Sequence, residues 1–588
     1  MSPSFRTIAL AIFIAASLLL PILAPSGTLV VLAIYIGLAS LVAIGLVLLT
    51  GVGGMTSFGQ AAMMGIGAYA TALVTTRLGW SPWLALPIAL IATGGISTLL
   101  GLLTIRLSGH FLPLGTIAWA LALYYLYGAL PFLGGYDGLS GIPALTFGPF
   151  DLSTPRAFYP LVWITVVLAV VATSNLLDSR PGRIIRTLRS GSSAVEAFGA
   201  TTWRLRLFVF VYAGVLAGLA GWLFALFQRA VSASPFGLNA GLEYLLMAVI
   251  GGAGHIGGAI FGAAVVVLSR NVFQDILPLV FGQTSNFQAI AFGLLLVMLL
   301  QWAPDGVWRP LSRWFVRHRN TLPRRSDILP KAEQPERGSR LLSVEGLQKR
   351  FGGLVAVNQV DFAIDAGEIV GLIGPNGAGK STTFNLITGL QRASGGRVRL
   401  AGRTISGLPS RRIARLRVAR TFQHVKLVPS MSVLDNVAIG AHLRSHSGVL
   451  QALLRLDRTE EARVFAEAMR ALERVGLAER AGDETGSLAL GQLRIVEIAR
   501  ALCMDPVLLL LDEPAAGLRH HEKAALATLL KALAQSGVTI LIVEHDMEFV
   551  MNLCDRLVVL NFGSKLADGL PEAVRTDPQV LIAYMGAA

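Results

Sequence analysis

The chain has 588 residues, of which 54% are hydrophobic and only 14% charged, with a formal net charge of +14 and a mean hydropathy of +0.63. A soluble protein carries about 25% charged residues, so the composition excludes a wholly soluble protein. Lys, Asp and Glu are scarce in the first 300 residues and ordinary thereafter, which sets two domain classes in series. The positive balance calls for no nucleic-acid partner. Arg180, Arg183, Arg186 and Arg189, then Arg309, Arg313, Arg317 and Arg319, flank apolar runs, as cytoplasmic loops of membrane proteins do. Cys503 and Cys554 stand in neither a C-x-x-C nor a Cys/His array and read as buried thiols of a reducing compartment.

In chain order, Ile8–Leu23 has Arg6 before it and small residues after it, yet lacks a small-x-small cleavage site. It reads as an uncleaved first span. Apolar runs follow at Leu29–Leu49, Ala61–Thr75, Leu84–Leu103, Leu112–Leu130 and Tyr159–Leu176. After an Arg-rich break come Leu207–Phe227, the glycine-interrupted pair Leu242–Ile250 and Ala259–Leu268, and Phe287–Trp302. A bilayer crossing takes about 20 residues, so about eight to ten crossings are expected. The segments Arg180–Arg206 and Arg309–Arg325 both belong in the cytoplasm, so an even number of crossings separates them. Three or four apolar pieces lie there, which implies a re-entrant half-helix or a short pair near Gly251, Gly252, Gly254, Gly257 and Gly258. The glycine-rich stretch Thr50–Gln60 and the loop Gly134–Gly141 either border a solute path or pack helices closely through small residues. His110, Asp137, Glu243 and His255 are ionisable groups near membrane segments. Each is a functional suspect or an interfacial residue, and the interfacial reading is the simpler.

Residues 1–305 thus form an all-α polytopic membrane domain and 306–340 a Pro/Arg-rich linker. Residues 341–588 alternate short β-rich runs with helical stretches, an α/β domain. Its chemistry is carried first by Gly374, Pro375, Asn376, Gly377, Ala378, Gly379, Lys380, Ser381 and Thr382, which follow the apolar run Glu368–Ile373. This is G-x-x-x-x-G-K-[ST] between a strand and a helix: glycine N–H groups cradle phosphates, Lys380 meets the β/γ-phosphates and Ser381 ligates Mg²⁺. The run Val507–Leu511 ends in Asp512 and Glu513. Asp512 can hold Mg²⁺ through water, and Glu513 is placed to orient or deprotonate the attacking water. Gln423 and His545 occur after other strands, and Leu488, Gly491 and Gln492 open a helix.

In this order the motifs resemble the ATP-binding-cassette transporters, and more closely their branched-chain (hydrophobic) amino-acid uptake family. Phe351–Asn358, Thr421–His424, Asp512–Leu518 and Glu544–Met547 look like its ATPase. Ser57–Tyr69, Ile105–Phe111 and Gly251–Gly258 look like one of its permeases. The resemblance implies that Phe351 stacks on adenine with Val357 beside it. It makes Gln423 a sensor of Mg²⁺ and water, Glu513 the catalytic base and His545 the γ-phosphate switch. It makes Leu488, Gly491 and Gln492 part of a signature that binds ATP held by an opposite subunit. Glu196–Gly199 looks like the loop that couples permease to ATPase. The chain departs from the family at Leu490 in the signature and at Arg519-His520 after Leu518, both on the expected dimer face.

One permease and one ATPase make half a transporter. The resemblance implies a second permease and a second ATPase subunit, or a second copy of this chain, together with an extracytoplasmic solute-binding protein. It places the chain in the bacterial inner membrane with the ATPase in the cytoplasm, importing branched-chain amino acids or a related amide- or urea-type solute. An exporter half-transporter and an ATP-gated channel or regulatory ATPase are the competing readings.

Overall fold

A computed structural model describes residues 26–107, 111–281 and 328–585, with Pro21 and scattered positions between 290 and 308. The expected first span Ile8–Leu23 apart from Pro21, His110, half of Phe287–Trp302 and most of the 306–340 linker lie outside the described residues. Two compact units result, Met1–Asp178 with Trp203–Arg317, and Ser179–Thr202 with His318–Ala588.

The first unit is helical: α1 (Gly27–Leu46, continued by a π-turn at Val47–Val52), α2 (Gln60–Thr76), α3 (Pro82–Thr104), α4 (Phe111–Ala129) and α5 (Pro155–Leu177). Six of the described helices are long and apolar enough to cross a membrane. The helix α1 is mostly enclosed, whereas α3 exposes Leu84, Ile91, Leu99 and Leu103 along its length, as a lipid-facing helix does. Small residues set the crossings. A Cβ at Gly67 would lie 2.2 Å from the Gly218 carbonyl oxygen, one at Gly221 2.0 Å from that of Met64, and one at Gly51 1.5 Å from that of Ala253. Backbones therefore touch where any side chain would hold them apart.

The glycine-interrupted pair is resolved into a 14-residue helix, Leu238–Gly251, and a longer one, Ile256–Phe281. At 1.5 Å per residue the first spans about 21 Å, too short to cross alone. The chain reverses at Gly252 (φ +106), and Gly251 and Gly258 meet backbone to backbone. Asp137 and His255 are exposed, and Glu243 pairs with Arg270 at 3.2 Å on a partly exposed face.

The second unit holds two sheets. The antiparallel sheet pairs β5 (Arg340–Phe351) with β6 (Leu354–Asp365) and β8 (Gly395–Leu400), after the short strands β1 (Leu139–Ser140), β2 (Thr146–Phe147), β3 (Phe150–Asp151) and β4 (Ala230–Val231) of the first unit; β7 is Ile369–Ile373 and β9 Arg403–Thr404. The second sheet has the order β10-β11-β12-β7-β13-β14, with β10 Val418–Arg420, β11 Leu508–Asp512, β12 Thr539–Val543, β13 Arg556–Asn561 and β14 Ser564–Gly569. All its neighbours are parallel except β13 and β14. Strands buried on both faces read as unbroken apolar runs, and β7, β11 and β12 are wholly buried. Because five of these strands run the same way, the residues after each reach one edge, where open α/β sheets bind ligands.

Candidate nucleotide site

The loop after β7 is shaped by glycine. Gly374, Gly377 and Gly379 have φ of +148, +81 and +95, a region that side chains avoid. A Cβ at Gly374 would meet the Leu560 carbonyl oxygen at 2.1 Å, and one at Gly379 that of Ala356 at 2.5 Å. Asn376, Gly377 and Ser381 are exposed and Ala378 is buried. Lys380 opens the next helix, Lys380–Ile387, and its ammonium donates to the carbonyls of Gly374 (2.7 Å) and Pro375 (2.9 Å). Burial lowers its pKa, opposed by Glu513. Phosphate oxygens can take these hydrogen bonds over from the loop carbonyls. Phe351 stands half exposed at the tip of the β5–β6 hairpin, with the Lys349 ammonium 4.9 Å from its ring centre. Val357 is fully buried and packs against Gly379, where it props the loop.

Three groups from three strand ends converge. Gln423, past β10, donates from Nε2 to Glu513 Oε2 at 3.0 Å. His545, past β12, brings Nδ1 to 4.0 Å from Glu513 Oε1. Glu513 itself has φ +46, strained for a side-chain-bearing residue and common at functional sites. Its N–H is fixed by the Val543 carbonyl at 2.9 Å. Asp512, the last residue of β11, is buried beside the Arg420 guanidinium (3.6 Å). Burial raises its pKa, and Arg420 opposes the rise.

Two supporting residues carried no role in the sequence reading. Arg420 donates to Asn385 Oδ1 (3.1 Å) and Thr388 Oγ1 (2.7 Å) and lies over the rings of Phe384 and Phe422. It clamps the phosphate-loop helix to Asp512, and burial first pushes its pKa down to about 10. Glu544 is buried and accepts the Ala515 N–H at 2.6 Å and the His545 N–H at 3.2 Å. It therefore fixes the turn after Glu513 to the base of His545. A charged residue next to a motif was the only signal for either in the sequence.

Leu488, Gly491 and Gln492 assemble apart from these groups. The helix Leu490–Leu502 begins there, and the Ala489 N–H donates to Gln492 Oε1 at 3.3 Å. A Cβ at Gly491 would meet Glu522 at 2.8 Å, and Leu490 lies against Gly517 with 48% of its surface exposed.

The segment 179–202 packs within the same unit. Arg183 makes a two-pronged pair with Glu461 (2.6 and 2.9 Å) and lies over Phe465. Arg180 donates through Nε to His442 Nδ1 at 3.2 Å, and its N–H reaches Glu461 at 2.9 Å. Phe198 lies under the Arg500 guanidinium, 4.8 Å from its ring centre. Arg500 pairs with buried Glu497 (3.0 Å), which accepts the Lys426 N–H (3.1 Å), while Arg494 donates to the Phe422 carbonyl (3.2 Å). Hydrogen bonds and packing thus link Phe198 to the segment around Gln423.

Residues 28–299 match the family described as branched-chain amino acid transport system / permease component, 357–516 that of the ABC transporter, and 564–588 that of the branched-chain amino acid ATP-binding cassette transporter. The chain is 45% identical over 251 residues to the high-affinity branched-chain amino acid transport ATP-binding protein LivG of Salmonella typhimurium, covering 42% of this chain and 98% of that one. It is 44% identical over 251 residues to BraF of Pseudomonas aeruginosa, with the same coverage. A solved nucleotide-free ATP-binding cassette from an ABC transporter is 30% identical, covers 42% of this chain and 98% of its own, and has a TM-score of 0.38. Fold and site together define an ATP-hydrolysing transport ATPase joined to a membrane permease. The chain belongs to the branched-chain amino-acid ABC transporter family, with permease and ATPase in one polypeptide.

Proposed function

We propose that this chain is one half of an importer, driving uptake of branched-chain amino acids or closely related small solutes across a bacterial inner membrane, with its ATPase in the cytoplasm. The observation that carries the catalytic part is the meeting of Gln423, Glu513 and His545 at the parallel strand ends, beside the glycine loop. Lys380 and the loop N–H groups hold the phosphates, and Phe351 offers its half-exposed ring to the base. Glu513 takes a proton from the attacking water or orients it, Gln423 holds that water, and His545 bears on the terminal phosphate. The site suits magnesium: the Ser381 hydroxyl is exposed at the loop's end, with Asp512 and Gln423 as further oxygen donors. Magnesium held there supplies charge neutralisation on the β- and γ-phosphates. Closure around nucleotide would pass from Gln423 through Lys426, Glu497 and Arg500 to Phe198 in the segment 179–202.

Family members act in uptake systems with other subunits. For this chain we infer a second permease and a second ATPase, or a second copy of itself, and an extracytoplasmic binding protein. Proteoliposomes holding the full assembly, with ATP inside and leucine-loaded binding protein outside, test the reading. Leucine should accumulate and ATP turnover should rise with the loaded binding protein. Release of preloaded leucine, or turnover indifferent to the binding protein, would sink it.

A further inference from the structure

The stretch Thr50–Gln60 leads into α2, and its last residue is chemically isolated. Gln60 is 1% exposed, and neither its amide nitrogen nor its amide oxygen has a hydrogen-bond partner among the described residues. Buried amides of this kind are ordinarily paired, so one that is not marks a place where a ligand or water completes it. The nearby hydroxyls are already engaged: Ser57 Oγ accepts the Gly59 N–H (3.3 Å), while Thr116 Oγ1 accepts the Phe58 N–H (3.2 Å) and donates to the Pro113 carbonyl (2.8 Å).

Gln60 borders a small cavity inside the membrane unit, which has room for a water but not for a solute. Ser57 and Thr116 also line it, and Met63, Leu100, Trp119 and Phe210 supply apolar walls, so the surface now open to the cavity is almost wholly apolar. No Asp, Glu, Lys, Arg or His lines it, so a solute with net charge would be left uncompensated there. Gln60 offers a donor and an acceptor on one group. The first-turn N–H groups of α2, which begins at Gln60, add partial positive charge at that end of the helix. The matching ligand is net neutral, carries a donor and an acceptor at one end, and is apolar at the other.

We propose that Gln60 and the N-terminus of α2 hold the polar end of a zwitterionic aliphatic amino acid during its passage, with Met63, Leu100, Trp119 and Phe210 against its side chain. The cavity is shut in this conformation and opens in the transport cycle. The inference rests on the uptake reading and names the contact that would recognise the solute.

Gln60→Cys in the full assembly, read on this chain after separation of the subunits, gives a direct test, because its Cys503 and Cys554 are buried (0% and 7% exposed) and leave a low labelling background. A small water-soluble thiol reagent should modify position 60 about tenfold faster during ATP turnover, and L-leucine, unlike acetamide, should protect it. Gln60→Leu should raise the KM for leucine uptake about tenfold, the scale of one lost hydrogen-bonding group, and Gln60→Asn should recover part of it. Position 60 unreactive in every nucleotide state, or Gln60→Leu transporting like the wild type, overturns the proposal. Protection by acetamide and not by leucine overturns the amino-acid class. If leucine protects position 60 but is not accumulated by the wild type, the site stands and the import reading falls.

Discussion

At Glu513, a single carboxylate is approached by Gln423 at 3.0 Å and His545 at 4.0 Å and held in a strained turn. Its neighbours Asp512 and Glu544 are buried acids whose pKa values burial raises, so the protein fixes the flanks and leaves the centre partly open to solvent. Glu513→Gln keeps shape and hydrogen bonding and removes only the proton acceptor. We expect ATP turnover to fall about 100-fold or more, the usual contribution of a general base. Nucleotide affinity should hold, since Lys380 and its loop are untouched; phosphate release and a fluorescent-nucleotide titration measure the two separately. Arg420 belongs to the same scale. Arg420→Met would strip buried Asp512 of its cation and free Asn385 and Thr388, and loss of one partner of a buried pair costs about 3–5 kcal/mol. A denaturant midpoint equal to that of the wild type would refute the clamp. Phosphate loop, acids, glutamine and histidine were all legible in the sequence because each is bound to a short motif at a strand end. Arg420 and Glu544 were not, because their roles depend on what the fold sets three to four ångströms away. The placing of Val357 failed to emerge for the same reason: alternation along β6 does not say which face the loop covers.

Among elements, the segment 179–202 shows how far composition reaches and where it stops. Its arginines fit a cytoplasmic flank, yet Arg180 and Arg183 are taken up by groups of the ATPase domain nearly 300 positions later, and sequence spacing carries no trace of such pairing. Arg183→Ala or Glu461→Ala should leave the other charge buried and unpaired, whereas exchanging the two should restore part of the loss in a double-mutant cycle. His442 adds a pH dependence. Burial first, then Arg180, Arg183 and Arg415, hold its pKa at about 3 against an ordinary 6.5. Above pH 6.5 folded and unfolded chains are both neutral there and nothing is lost. Below it the unfolded chain gains a proton that the folded chain refuses, so stability drops as pH falls from 6.5 towards 3, by about 2 kcal/mol at pH 5. His442→Gln keeps an acceptor for Arg180 and cannot titrate; the gap between its melting temperature and that of the wild type should widen in its favour from pH 7 to pH 5. A constant gap would mean that His442 titrates alike in the folded and the unfolded chain. In the membrane unit, the expectation of a re-entrant half-helix or a short pair is met by one short helix, Leu238–Gly251, and not by its neighbour Ile256–Phe281, which is long enough to cross; a run too brief to cross is readable as such. Which glycines touch which was not, because backbone approach is a property of two helices at once.

For the whole molecule, the nucleotide groups and the signature helix occupy different sets of elements in one cassette. Lys380 faces the carbonyls of its own loop, whereas Leu490 and Gly491 pack against Gly517 and Glu522. On the proposed reading the signature serves a nucleotide held by a partner, and a complete ATP sandwich takes two cassettes. That arrangement makes the departures at Leu490, Arg519 and His520 asymmetric in their effect. All three are exposed, so their cost falls on contacts with a partner and not on the folding of this chain. On that reading, the site that uses this chain's Lys380, Asp512, Glu513 and His545 would depend on the partner's signature, while the site built on the partner's loop would use Leu490. A bulky branched side chain at a helix N-terminus crowds the approach of phosphate to the N–H groups that would bind it. In an assembly with a different second ATPase, Glu513→Gln should therefore abolish more turnover than the matching substitution of the partner's base. Replacing Leu490 with Gly should raise the turnover that survives Glu513→Gln. Equal losses from the two base substitutions, with no gain from Leu490→Gly, would show that both sandwiches hydrolyse alike and that the exposed leucine leaves the phosphate path clear.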